Sequence, residues 1–313
     1  MPNFDVTVVG ELNLDLILYG LPEQLVPEHE ALASRLALTL GSSSAIFAHN
    51  LAAMGNRVGF ISRIGADPLG RISLERLAEG SVDVSKVRTV SGPTTTGLTV
   101  ILPRPQDRLS FTYPGTMFEM CFEDLDLTYL ASAKHFHLSS FYLHRALRPR
   151  IAELFHKMKS AGLTTSLDTN DDPEDLWAED LLEVLRYVDV FLPNEREIMK
   201  ITRTNDVRAG LAKLATVVPV VVVKLGPQGA LGRQGKTEIT ALPLRVEAVD
   251  SVGAGDSFDA GFIHQYVRGA DLATCLRCGN LAGACSTTKP GGTEAFRDYP
   301  HFQKFFSEHA TKG

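Results

Sequence analysis

Short apolar runs alternate along this chain with longer segments whose apolar residues recur every three or four positions. DVTVVG (5–10), RVGFISRIG (57–65), KHFHLSS (134–140), LTTSLD (163–168), VDVFLPN (188–194) and VPVVVVKLG (218–226) read as strands. Several are apolar throughout, as strands buried on both faces must be. Between them, 43–55, 67–80, 146–162, 173–187, 195–201 and 207–216 read as helices. Pro68 suits a first helical position, and Gly55 and Gly80 suit helix C-termini. Strands alternating with helices predict a doubly wound α/β fold, with a mostly parallel sheet covered by helices on both faces.

Two stretches break the alternation. ALASRLALTLG (31–41), and TTGLTVILP with RLSFTYPG (95–115), look like strands with no helix between them. They predict a small antiparallel sheet forming a lid, drawn from about 12–40 and 92–115, on one domain spanning 1–313. Gly226, Gly229, Gly232 and Gly235 fall at every third position and read as punctuation of a hairpin after the strand ending at Lys224.

Composition narrows the class. The 313 residues are 44% hydrophobic and carry a formal net charge of -6. That balance argues against nucleic-acid or anionic-membrane partners, which select basic surfaces. No apolar run is long enough to span a bilayer, and MPNFDVTVVG reads as a first strand rather than a signal peptide. Cys275 and Cys278 form a C-x-x-C without a second pair to complete a zinc site. They read as two small apolar residues on one helix face, and with Cys121 and Cys285 they are too few for a disulfide scaffold, which fits a reducing cytoplasm.

The chemistry concentrates in two places. GALGRQGKT misses the phosphate-binding pattern G-x-x-x-x-G-K-[ST] by one residue, and a strand rather than a helix follows it. A G-x-G-x-x-G after the first strand is also absent. DSVGAGDSF (250–258) instead opens an amphipathic helical run. The free N–H groups and dipole of such a helix start attract anions. GELNLD (10–15) places Asn13 and Asp15 just past the first strand, where open α/β sheets bind ligands.

With these motifs the chain resembles the ribokinase-like (PfkB) carbohydrate kinases over nearly its whole length. DSVGAGDSF is similar to that family's C-terminal signature D-T-x-G-A-G-D-x-F, and LPNEREI carries its N-x-x-E at Asn194 and Glu197. The resemblance implies that Asp256 is the general base for a substrate hydroxyl attacking the γ-phosphate of ATP. Gly253, Ala254 and Gly255 would form the anion hole. Asn13 and Asp15 would bind sugar hydroxyls, with Gly41 and Ser42 at the position of the family's Gly-Gly signature. Asn194, Lys224, Gly226, Gly229, Gly255 and Asn280 would line the nucleotide site, and Asn194 and Glu197 would hold Mg²⁺ through water. Asp250, with carbonyls of Val252, Thr287, Pro290 and Gly292, matches the family's monovalent-cation site, with potassium the expected ion. A homodimer through the lid is implied as well, and an exposed lid edge would favour one physically.

Departures fall at the sugar end. Gly41-Ser42 replaces Gly-Gly, Ile46 stands where the family has a sugar-binding Asn, and Thr169 replaces the Pro of Asp-Pro-Asn. Asn50, one helical turn beyond Ile46, is the candidate to cover that role, and Arg108 in the lid is a candidate partner for a sugar-acid carboxylate. The expected activity is ATP-dependent phosphorylation of a hydroxyl, a primary alcohol, on a small sugar or sugar acid. Alternatives are a nucleoside kinase of the same fold and a non-catalytic sugar or nucleotide sensor.

Overall fold

The computed structural model describes residues 2–104, 107–177 and 179–309. Its strands are β1 Phe4–Val9, β2 Leu14–Tyr19, β3 Arg35–Leu40, β4 Val58–Gly65, β5 Asp83–Val90, β6 Leu98–Pro103 and β7 Arg108–Tyr113. They continue as β8 Ala133–Leu138, β9 Thr164–Leu167, β10 Val190–Phe191, β11 Val220–Lys224, β12 Ala230–Gln234 and β13 Thr237–Ala241. The helices are α1 Ser43–Ala53, α2 Pro68–Glu79, α3 Leu127–Leu130, α4 Ile151–Ser160, α5 Asp180–Leu185, α6 Glu195–Thr202, α7 Val207–Leu214, α8 Ala254–Tyr266, α9 Leu272–Thr287, α10 Glu294–Arg297 and α11 Tyr299–His309. None is long and apolar enough to cross a membrane.

Nine strands form the main sheet in the order β13-β12-β11-β10-β9-β8-β1-β4-β5. From β5 to β11 every pair is parallel, and the antiparallel β12 and β13 finish one edge. That edge is the glycine-punctuated hairpin, with Gly235 (φ +58°) in its turn. The run Val220–Val223 shows why such strands are apolar on both faces. Val221 and Val223 join a core with α4, α5, α6 and α7, while Val220 and Val222 join one with α1, α8 and α9. The chain winds from β1 toward β5, then returns through β8 toward β11, so winding reverses between β1 and β8. The carboxyl ends there open the crevice in which such sheets bind ligands.

KHFHLSS contributes an unusual stripe to the middle of that sheet. Alternation sends Phe136 and Leu138 to one core and His135 and His137 to the opposite face. Hydrogen bonds of 2.7–2.8 Å run from Thr164 to His135, Ser166, His137 and Ser139 in turn. Phe47 stacks on His137 at 3.8 Å. Burial holds both imidazoles neutral, pushing His135 down to about 3 and His137 well below its usual value.

The lid is a second sheet in the order β3-β2-β6-β7. It is mixed rather than antiparallel, because β2 and β6 enter it from the same direction and pair in parallel. Its inner face carries Asp15, Ile17 and Ile101, the last two packed on Val252. Register places Leu16, Leu38, Val100 and Phe111 on the other face.

Two further expectations are corrected. The helix placed at 173–187 begins only at Asp180, because the Asp172 carboxylate accepts the N–H groups of Glu174, Leu176 and Trp177 and holds them in a turn. Gly80 is not the left-handed residue ending α2. Its φ is −73°, and Ser81 takes φ +64° instead. Gly80 is needed for closeness, since a Cβ there would lie 2.4 Å from the His49 ring. All four cysteines are free, Cys275 buried and Cys278 half-buried, and desolvation raises their thiols to about 12 and about 11, so both are held protonated near neutrality.

The buried imidazoles carry a pH signature. Their unfolded forms take up protons below about 6.5, whereas folded His135 does so only near 3. Their contribution to stability is therefore complete above 6.5 and lost as pH falls between those values. In urea unfolding across that window, His135→Gln is expected to lower the dependence by about one proton, roughly 1.4 kcal/mol per pH unit.

Candidate active site

The carboxyl edge of the sheet gathers charge. Glu11 and Asn13 follow β1, Ser139 and Ser140 follow β8, Asp168 follows β9, Asn194 follows β10, and Lys224 ends β11. Above them stands the start of α8. Gly253 is its N-cap with φ +72°, and a Cβ there would lie 2.5 Å from Gly292 Cα, so only glycine fits. No side chain caps this helix. Ala254 N–H reaches back to Ser251 O at 3.3 Å and Ser257 N–H to Gly253 O at 2.9 Å. The N–H groups of Gly255 and Asp256 lie between them in the first turn, where helices have no internal acceptors.

Asp256 is buried beside these donors. Burial and the neighbouring Asp168 charge raise its carboxyl to about 6, against the pull of the Lys224 ammonium and the Ser43 hydroxyl. Lys224 Nζ lies between Asp168 (2.8 Å) and Asp259 (2.9 Å), and 3.7 Å from where a Cβ of Gly255 would be. The ammonium therefore sits beside the helix start. The two aspartates hold it charged despite its burial.

Asn194 and Glu197 form a reciprocal capping box at the start of α6. Glu197 N–H donates to Asn194 Oδ1 at 2.9 Å, and Asn194 N–H donates to Glu197 Oε2 at 2.8 Å. Burial and the Asp168 charge raise Glu197 to about 8. Such crowding of carboxylates is what a divalent cation relieves. Because the Glu197 oxygens already face the Asn194 amides, water would bridge the ion to them.

At the lid hinge, Asp15 is raised to about 7 by burial and by Asp256, with Arg108 opposing. Its Oδ1 would lie 2.3 Å from a Cβ at Gly41, which explains that glycine. Asn13 Oδ1 is buried without a partner, as a ligand-facing amide would be before its ligand arrives. Ser42 keeps a left-handed backbone (φ +60°) and donates to Glu11 O at 2.9 Å. Arg108 is an exposed residue at the start of β7.

Asn50 is not a substrate contact. Fully buried, it donates from Nδ2 to Ser257 Oγ and Gly292 O, both at 2.9 Å, and its Oδ1 meets His49 Nδ1 at 2.9 Å, so no polar atom remains for a sugar. Ile46 packs against Gly253 and Gly292, closing this side of the loop with an apolar surface.

The expected cation site is also corrected. Asp250 already accepts three hydrogen bonds, from Val252 N–H, Gly291 N–H and the Tyr19 hydroxyl. Gly292 O accepts Asn50 Nδ2 and Ser286 Oγ, and Thr287 O accepts the N–H groups of Val249 and Asp250. With the lone pairs of Gly292 O and Thr287 O used, the set including Val252 and Pro290 does not fit a monovalent ion.

Gly226 and Gly229 take positive φ around the turn after β11, and Asn280 Nδ2 donates to Ala241 O and Leu242 O. Asn280 borders a cavity of about 580 Å³ shared with Leu242 and His309.

Sequence reasoning overlooked Asp259, Tyr19 and Glu11. Asp259 had a signal, being one helical turn from Asp256 on the same face. Glu11 accepts Ser44 Oγ (2.8 Å) and Ser140 Oγ (2.6 Å) and lies 3.4 Å from His144 Nε2, which together hold its carboxyl below the usual range.

Comparison with known proteins sets this geometry in context. The family described as "pfkB family carbohydrate kinase" matches residues 3–298. The chain is 29% identical to a fructokinase of Klebsiella pneumoniae, over 94% of this chain and 96% of that one. It is 28% identical to a cytidine kinase of Thermococcus kodakarensis, over 88% and 93%. Among solved structures, an Escherichia coli protein provisionally described as ribokinase II, in complex with ATP and Mg²⁺, superposes with a TM-score of 0.82 at 24% identity, covering 97% and 99%.

The Lys224 cluster makes a stability prediction. Lys224→Met strands Asp168 and Asp259 in the interior and is expected to cost about 3–5 kcal/mol in denaturant unfolding. Lys200→Met, which breaks an exposed pair with Asp175, should cost less than about 1 kcal/mol.

Proposed function

The chain belongs to the pfkB family of carbohydrate kinases, and from that premise we propose that it transfers the γ-phosphoryl group of ATP to a primary hydroxyl of a small sugar or sugar acid. The observation that carries this reading is Asp256. It is a buried carboxylate near pH 6, placed beside unpaired N–H groups of a helix start. Asp256 takes the proton of the attacking hydroxyl, a role that favours a pKa close to the working pH. The N–H groups of Gly255 and Asp256 and the Lys224 ammonium stabilise charge on the transferred phosphoryl. Asp168, Asn194 and Glu197 suit Mg²⁺ held through water, and that ion supplies neutralisation of the phosphates. The Gly226–Gly229 turn and the cavity beside Asn280 suit the nucleoside end of ATP.

Asn13 and Asp15 are assigned to substrate hydroxyls. Ile46 gives that side an apolar wall, so recognition there rests on shape and on Arg108 across the lid. Relatives named fructokinase, 2-dehydro-3-deoxygluconokinase and cytidine kinase match at 27–29% identity, so a nucleoside remains the second reading. Sugars, sugar acids and nucleosides, each assayed for ADP release, separate the readings. No substrate-dependent ADP release from any of them would sink the kinase assignment.

The lid also supports a homodimer. Its outward face, rather than its edge, is the apolar feature, with Leu36 60% and Phe111 58% exposed. A second lid laid across it would bury these residues.

Two predictions follow from these roles. Asp256→Asn should lower kcat by at least about a hundredfold while a fluorescent ATP analogue still binds, and wild-type kcat/KM should fall as pH drops through about 6. Phe111→Asp should shift the species seen by light scattering from dimer to monomer, and an unchanged mass would count against the lid interface.

A further inference from the structure

Asp250 is tied to the lid. Its Oδ2 accepts the Tyr19 phenolic proton at 2.6 Å and the Gly291 N–H at 3.1 Å, and its Oδ1 accepts the Val252 N–H at 2.9 Å. Tyr19 is the last residue of β2, on the lid's inner face, whereas Asp250 leads into the turn that ends at Gly253. Neighbouring contacts reinforce the tie. Gly291 has φ +79°, and a Cβ there would lie 2.6 Å from Thr39 Oγ1 of β3. Ile17 and Ile101 pack on Val252. The Arg35 guanidinium lies 4.0 Å from the Tyr19 ring centroid, where a cation draws density from the phenol and makes its O–H a better donor.

We infer that Tyr19 is a positioning residue for phosphoryl transfer, supplying at Asp250 the compensation that a bound monovalent cation would otherwise supply. Three neutral donors satisfy the carboxylate, and two of the carbonyls expected to ligate the ion are committed to protein donors. The donor on Tyr19 belongs to the lid. The turn carrying the anion-binding N–H groups is thus ordered by lid position rather than by an ion. Its catalytic consequence rests on the kinase reading, but the bond itself does not.

Two measurements need no substrate. Thermal unfolding of the wild-type chain in KCl, NaCl and choline chloride at one ionic strength should give one Tm, since an ion bound only to the folded state would raise it with concentration. A saturable rise specific to K⁺ would overturn the inference. Tyr19→Phe and Asp250→Ala should be coupled, so that the double variant is no lower in Tm than Asp250→Ala alone. Additive losses would mean that the two residues act separately.

The third measurement uses turnover of whichever compound releases ADP, or basal ATP hydrolysis where none does. Tyr19→Phe should lower kcat about tenfold, the worth of one hydrogen bond, with KM for ATP within about twofold. An unchanged kcat would show the bond to be structural only. If no compound releases ADP, the kinase reading fails while the two thermal measurements still judge the Tyr19 assignment.

Discussion

A single ammonium organises the carboxyl edge of this sheet. Lys224 lies between Asp168 and Asp259, and the charges of Lys224 and Asp168 bear on Asp256 and Glu197 as well. Carboxylates packed this closely repel one another and resist burial, so without an internal cation they would have to be protonated or hydrated. With Lys224 in place they remain buried and close, and three, Asp256, Asp259 and Glu197, are displaced upward in pKa. An Asp256 carboxyl raised to about 6 is a by-product of that burial and crowding. The Asp256 carboxylate and the Lys224 ammonium are therefore parts of one electrostatic cluster, and the proposed base and phosphoryl contact share one set of charges.

The start of α8 converts this charge into direction. Gly253 turns the chain so that the first-turn N–H groups and Asp256 share one corner, and Gly292 approaches too closely for any side chain at 253. Ile46 fills the remaining side. A position that could have offered a hydrogen bond to the substrate therefore secures the loop. The turn before α8 gains an apolar contact there, and under the proposed function discrimination among substrates falls to the lid side.

The glycine turn and the start of α8 were legible because they are local. DSVGAGDSF contains the turn, the helix start and the buried Asp256 carboxylate within nine consecutive residues, and Asn194 with Glu197 is a capping box readable from its spacing. The rhythm of apolar runs likewise forecast the doubly wound sheet and its hairpin edge. Contacts between distant segments were not legible. Tyr19 meets Asp250 across 231 positions and Asn50 meets Gly292 across 242, and neither has a local pattern. Asn50 misled because an amide one turn from an expected contact looks equivalent in sequence, whereas the helix points it into the core. The late start of α5 was hidden for a similar reason. Asp172 captures three backbone donors that periodicity assigns to a helix.

The histidine stripe beneath the site has an orientation as well as a path. Thr164 Oγ1 also lies 3.4 Å from Lys134 O, and when its hydroxyl proton is turned there it accepts from His135. That assigns the proton to Nδ1 of His135, which makes Nε2 an acceptor for Ser166, and the same logic repeats through His137 to Ser139. In that arrangement every proton in the row is displaced toward the amino ends of the strands, leaving the negative pole toward the carboxyl edge where Lys224 lies. Five neutral side chains thus share one row of hydrogen bonds through the sheet, in which the setting of the Thr164 hydroxyl at the amino end fixes the direction of every bond up to the carboxyl edge.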